Sequence, residues 1–227
     1  MRTIGTILGI ATALALTAVA STGAAQEFGK KGDAVFAAER LFGFGATHVE
    51  VDREAPAPDT DTDWTSFGIG WRGTNIPDFS PYDVPRLGFD YLVIDGLSVG
   101  GSLGFASLSG DTEVGGADFE GDGSAFLLTG RAGYVHMFND VIGIWPRGGL
   151  TYHSLSIETD PGDGRDDNGW GLNIECMFPI VPSEHWGFLV GPTFDVDFNG
   201  STDNDPGEEW DLTYRTFGLQ AGIFGWL

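Results

Sequence analysis

From Arg86 onward the chain alternates apolar and polar residues with a period of two, the period of a β-strand with one apolar face. Arg86 to Val93 sets Leu87, Phe89, Tyr91 and Val93 against Arg86, Gly88 and Asp90. Asp95-Gly96 supplies a tight turn, and Leu97 to Ser107 resumes with Leu97, Val99, Leu103 and Phe105 on the apolar side. A second hairpin turns at Asn139-Asp140 and a third at Pro182 to Glu184, with the same alternation on either side. A first strand at about Ala34 to Val49 and a last at about Trp210 to Leu227 bring the predicted count to eight. Short turns then alternate with long connections, and an even count puts both termini and all three tight turns at one end.

The last strand decides how the sheet ends. Leu219, Ala221, Ile223 and Leu227 share one face, Gln220 and Gly222 the other, and the pattern runs to the final residue. An apolar strand of this kind is an exposed edge unless the sheet closes on itself. The fold expected is therefore all-β, an up-and-down antiparallel barrel of eight strands.

Two places resist the count. Thr65 to Arg72 also alternates, through Phe67, Ile69 and Trp71. It reads as the upper part of strand two or as a hairpin within the first long connection, with Asn75 to Pro85 as an excursion; ten strands is the alternative. In strand one, Glu39 and Arg40 are adjacent, so one points outward unless a bulge intervenes or it lies at an interface.

Which face meets water follows from the polar one. It is rich in glycine, serine and threonine, and beyond the leader lysine occurs only at Lys30 and Lys31, whereas a water-facing wall carries many lysines and glutamates. Turned inward, small residues suit the crowded lumen of an eight-stranded barrel. The apolar face then meets lipid, and Trp170, Phe178, Trp186, Phe194, Phe198 and Trp226 are expected in aromatic girdles at the two membrane interfaces.

Composition adds direction. Met1 and Arg2 precede the uncharged run Thr3 to Ala25, whose small-residue end marks a secretory signal cleaved after Ala20, Ala24 or, preferably, Ala25. Residues 26–33 then form a periplasmic N-terminal segment and residues 34–227 the barrel. The one cysteine, Cys176, can form no internal disulfide. Formal charge is −22, which excludes a phosphate backbone as partner, so no nucleic acid is expected. Glu50–Asp63, Ser109–Gly123, Ile157–Asn168 and Phe198–Glu209 together carry −18 of that charge, so the acid is expected in the long outer loops.

With this leader, this strand-turn rhythm and the ending Gln220-Ala221-Gly222-Ile223-Phe224-Gly225-Trp226-Leu227, the chain resembles the small eight-stranded outer-membrane β-barrel proteins of Gram-negative bacteria. The resemblance implies residence in the cell outer membrane, short periplasmic turns and long outer loops. It also implies that the outer-membrane assembly machinery reads the closing strand, with Gln220, Gly222 and Leu227 matching its pattern.

The chemistry expected inside is a set of lumen charges from consecutive strands: Arg86, Asp90, Arg131, Arg147, Glu175, Asp195 and Asp197. Buried charges must be paired, so an ion-pair plug is favoured over a narrow ion-conducting pore. His153-Ser154 is the sole candidate for lipid-modifying catalysis, and alternation sends those two side chains to opposite faces. No catalytic residue, metal ligand or cofactor is assigned, and a non-enzyme is expected. Asp59 to Asp63 and Asp160 to Asp167 space oxygen ligands closely, but Trp64 stands where a calcium loop needs glycine, so divalent cations at the outer loops are a subsidiary expectation. The function expected is structural or surface interaction, with outer-membrane lipid and lipopolysaccharide as partners.

Overall fold

The computed structural model describes residues 27–53, 59–69, 80–114, 117–160, 164–204 and 208–227; the leader lies outside them. Ten strand segments run β1 Ala34–Asp52, β2 Thr60–Ile69, β3 Arg86–Ile94, β4 Leu97–Val114, β5 Ala117–Tyr134, β6 His136–Met137, β7 Gly143–Asp160, β8 Arg165–Ile180, β9 Trp186–Asn204 and β10 Glu208–Trp226. They fill eight positions in one antiparallel ring. β1 pairs with β10 along its length, from Val35 opposite Trp226 to Asp52 opposite Asp211, which closes the sheet. Closure leaves no free edge at the terminal strand, as a sheet in lipid requires.

The second position is split. β2 pairs with the upper part of β1, Phe42 opposite Ile69, and β3 with the lower part, Glu39 opposite Arg86. Phe67 and Ile69 thus belong to the upper part of strand two. Between β2 and β3 the chain leaves the wall, and Ser80, Pro81, Tyr82, Asp83 and Val84 return to it from inside the lumen, buried, around a 3-10 turn at Pro81–Asp83. Residues 70–79 of the expected excursion lie outside the described residues. β6 continues β5 against β7, so it adds no position.

Where strand two is split, β1 bulges. Ala38 faces Ile223 and Phe42 faces Ala221, so Glu39, Arg40 and Leu41 together oppose Gly222. Arg40 takes φ +54°, the left-handed region that a non-glycine residue enters only at a cost. The bulge turns Glu39 and Arg40 both into the lumen, where each is buried. Gly222 is what admits it: a Cβ there would collide with the Ala38 carbonyl and stand 3.0 Å from the Glu39 Cα.

The tight turns, the start of β1 and Leu227 gather at one rim. Ala34 and Leu227 exchange backbone hydrogen bonds of 3.0 and 3.1 Å, and the Gly96 N–H donates to the Gly29 carbonyl at 2.9 Å. Gly96 itself takes φ +80° in the Asp95-Gly96 turn. At the other rim the ladders continue through most of the acid-rich stretches: β1, β9 and β10 are each 19 residues long, against the roughly 9–11 that cross a bilayer. The acidic crown is therefore largely paired sheet rising above the membrane.

The outward rows are apolar and exposed, among them Phe42, Phe44, Leu87, Phe89, Leu219 and Ile223. Of the expected girdle, Trp170, Phe178, Trp186, Phe194 and Phe198 are on this surface. Trp226 is not. It shares the parity of Gln220 and Gly222, is 1 % exposed, and packs inside the lumen, so its place in a girdle is corrected by the alternation of its own strand.

Replacing Gly222 with alanine is expected to cost about 1–3 kcal/mol, the usual penalty of overpacking, because the bulge backbone must move. Urea unfolding of the folded protein in lipid vesicles measures it; an unchanged midpoint would show that the bulge does not depend on this glycine.

Candidate functional site

The lumen is filled in three layers. At the turn end, Phe28 from the segment before β1 sits among Trp145, Phe224 and Trp226 with ring separations of 5.8, 5.0 and 5.1 Å. Val35, Leu92, Val135, Met177 and Leu189 complete this apolar cork.

Above it lies an ionic layer. Arg131 reaches Glu39 at 2.7 Å and Asp90 at 2.6 Å. Arg147 reaches Glu39 at 2.7 Å and Glu175 at 2.6 Å. Arg40 reaches Asp195 at 2.8 Å and Glu175 at 3.0 Å. Arg86 is held more loosely, 3.6 Å from Asp195. All eight side chains are buried. Four arginines thus meet four carboxylates and the layer is neutral, which is the condition for keeping charge in a low-dielectric space. Most carboxylates serve two arginines, and the Asn173 amide adds a 2.8 Å bond to Asp195.

The eight members come from six places on the ring. Glu39 and Arg40 come from the β1 bulge, Arg86 and Asp90 from β3, Arg131 from β5, Arg147 from β7, Glu175 from β8 and Asp195 from β9. The layer therefore ties six strand positions together across the lumen.

The third layer closes the loop end. Tyr82, carried inward by the 3-10 turn, donates its hydroxyl hydrogen bond to Asp197. His153 Nε2 lies 3.1 Å from both Asp197 oxygens, and the Tyr214 backbone N–H donates to the same carboxylate at 3.1 Å. The turn is pinned from below as well: Arg40 Nη1 donates to the Tyr82 carbonyl at 2.7 Å. Ser66 on β2 donates to Asp83 at 2.9 Å. Val49, Leu127, Leu155 and Leu212 pack around these groups.

All seven lumen charges read from the sequence face inward and are buried. Six join the arginine layer. Asp197 does not; it belongs to the tyrosine–histidine cluster above, because the inserted turn brings Tyr82 to it. Glu39 and Arg40 join these six as a fourth carboxylate and a fourth arginine, and their adjacency in an alternating strand was the visible sign of the bulge. Tyr82 had no such sign, since its position depends on a turn that leaves the wall. Of the closing-strand residues, Gln220 is buried in the lumen, Gly222 faces the bulge and Leu227 is exposed at the rim.

No family model matches the chain, and no curated protein matches it. Solved structures do. Outer membrane protein OprG from Pseudomonas aeruginosa is 14% identical, covering 87% of this chain and 97% of its own, with TM-score 0.51. Neisserial surface protein A is 12% identical over 86% of this chain and 97% of its own, with TM-score 0.46. This is the fold of the small outer-membrane β-barrels. The apolar outer belt suits a barrel wall in lipid, as this fold requires.

The expectation of a non-enzyme is corrected. The outer membrane protease OmpT from Escherichia coli is also similar, 10% identical over 91% of this chain and 100% of its own, with TM-score 0.45.

Breaking the ionic layer at its centre should be expensive. Arg131→Met leaves Glu39 and Asp90 short of a partner and is expected to lower stability by about 3–5 kcal/mol, the cost of an uncompensated buried charge. Arg86→Met, which gives up only longer contacts, 3.5 Å to Thr129 and the Tyr82 carbonyl and 3.6 Å to Asp195, should cost clearly less. Equal urea midpoints for the two variants would contradict this ranking.

Proposed function

We propose that the protein is a sealed outer-membrane barrel that acts through its surface, with the lumen serving as a rigid strut and the acidic crown meeting the cell's surroundings. The observation that carries this reading is the lumen itself, closed in turn by an apolar cork, a neutral ionic layer and an inserted tyrosine turn. A conducting path needs unpaired fixed charge beside water, and each carboxylate of the ionic layer is paired.

The partners that fit are outer-membrane lipid and lipopolysaccharide at the belt, and divalent cations or proteins at the crown. The assembly machinery would engage the closing strand through Gln220, Gly222 and Leu227. These assignments rest on charge and position. The crown's carboxylates suit cations, and the belt's exposed phenylalanines and leucines suit acyl chains.

Planar bilayer recording tests the sealed lumen. The protein should show no stable unitary conductance, and Arg131→Ala should also stay silent, because the cork and the tyrosine turn still close the lumen on either side. Stable unitary steps that change on Arg131→Ala would overturn the strut and favour a narrow pore.

A further inference from the structure

The loop end of the lumen is not balanced as the ionic layer is. Asp197 and Asp167 are both buried there, and Arg165 pairs with Asp167 at 2.7 Å. Among the described residues Asp197 meets no arginine or lysine within salt-bridge distance. Its basic neighbour is His153, whose Nε2 lies 3.1 Å from each carboxylate oxygen. Tyr82 and Tyr214 donate hydroxyl hydrogen bonds to Asp197 and Asp167 and bring no charge. With His153 neutral this cluster is one cation short; with His153 protonated it is even.

The ring is closely held. His153 is fully buried, its ring 5.3 Å from that of Tyr82 and 5.8 Å from that of Tyr214. Gly169 and Gly171, successive inward positions of β8, make the room: a Cβ on Gly169 would stand 2.9 Å from His153 Nε2, and one on Gly171 would overlap the Tyr82 hydroxyl. Leu127 on β5 and Leu155 on β7 pack against the cluster and add no charge. Asp83 on the inserted turn faces Ser66 on β2, and Arg86 and Asp195 belong to the ionic layer beneath. His153 Nδ1 has no hydrogen-bond partner among the described residues, so no donor holds that nitrogen unprotonated.

We propose that His153 is a pH-sensitive latch on the inserted turn. In acid its imidazolium supplies the missing cation, and Asp197 stays buried beneath Tyr82. At neutral pH and above, the uncharged ring leaves Asp197 without a counter-charge, and a buried carboxylate in that state is costly unless water reaches it. Water reaches Asp197 when the turn lifts, so losing the proton favours the lifted turn. Histidine is the side chain whose ordinary charge change falls between pH 5 and 8, which makes His153 the member of the cluster that responds there. The sign follows from charge alone: the turn is seated more firmly as pH falls through that range and less firmly as pH rises. The apolar cork at the other end takes no part, so the latch does not rest on the reading of a sealed lumen.

The test compares the folded protein in detergent micelles at pH 5 and pH 8. Nitrogen NMR of the imidazoles, with His48, His136 and His185 assigned by substitution, should show His153 charged at pH 5 and neutral at pH 8. A ring in one charge state at both would overturn the latch. Hydrogen exchange followed by mass spectrometry, corrected for the intrinsic pH dependence of exchange, reads the turn itself through the Tyr82 and Asp83 amides, which donate to the Ser80 side chain and carbonyl. Their protection should be about tenfold greater at pH 5, the effect of one net charge-assisted contact. His153→Gln, which keeps a donor toward Asp197 and cannot be charged, should remove that difference and leave the turn as weakly protected at pH 5 as the wild type is at pH 8. Equal protection of the wild type at the two pH values would overturn the proposal, and so would a pH dependence that survives in His153→Gln. A change shared by the β8 ladder from Trp170 to Glu175 would trace the effect to the whole barrel and overturn it likewise. The NMR and the wild-type exchange need no variant, so the proposal stays open to refutation even where His153→Gln fails to fold.

Discussion

The bulge at Glu39, Arg40 and Leu41 is the constraint on which the rest of the barrel turns. In a regular strand one of two adjacent charges must face lipid, where a charge costs several kcal/mol or more. Here the backbone yields instead, taking Arg40 to φ +54° and crowding three residues against Gly222. The return is an ionic layer of four arginines and four carboxylates, which turning either one of the pair outward would leave unequal. With Arg40 turned outward Glu175 and Asp195 lose it; with Glu39 turned outward Arg131 and Arg147 lose it.

The same place governs the wall. Strand two is interrupted opposite the bulge, and the chain uses the interruption to send Ser80 to Val84 inward. Arg40, turned in by the bulge, donates to the Tyr82 carbonyl and so holds that turn from beneath. Bulge, split strand, inserted tyrosine and Asp197 form one connected piece of structure, which is why Asp197 left the arginine layer. The parts that look like irregularities in the strand pattern are those that close the loop end.

Much of this was legible from residue types alone. Period-two alternation and the three turn signals located the hairpins, because a strand in a wall between lipid and a packed lumen has two unlike faces. The Glu39–Arg40 conflict announced the bulge without saying how it would resolve. What was not legible depends on geometry outside the strand. Tyr82 reaches Asp197 only through the path of a turn, and no local spacing encodes that. Trp226 is a different case: its parity with Gln220 put it inside, but a girdle is expected of aromatics near strand ends, and the general expectation displaced the particular one. The acid-rich stretches looked like loops because ladders above a membrane need no apolar face, so their pattern carries no strand period.

The distribution of charge follows the three environments of the wall. In the lumen every carboxylate of the ionic layer meets an arginine, because nothing else can solvate it. On the belt the outward rows described above carry no charge. In the crown the rule reverses, and acids face acids across the ladder, as with Glu50 and Asp61, Asp52 and Asp211, and Asp166 and Asp203. Facing like charges destabilise a sheet, and only water, salt or bound cations make them tolerable. A crown built this way relies on its backbone ladders rather than its side-chain pairs for order. His48 and Arg215 sit where the second environment gives way to the third.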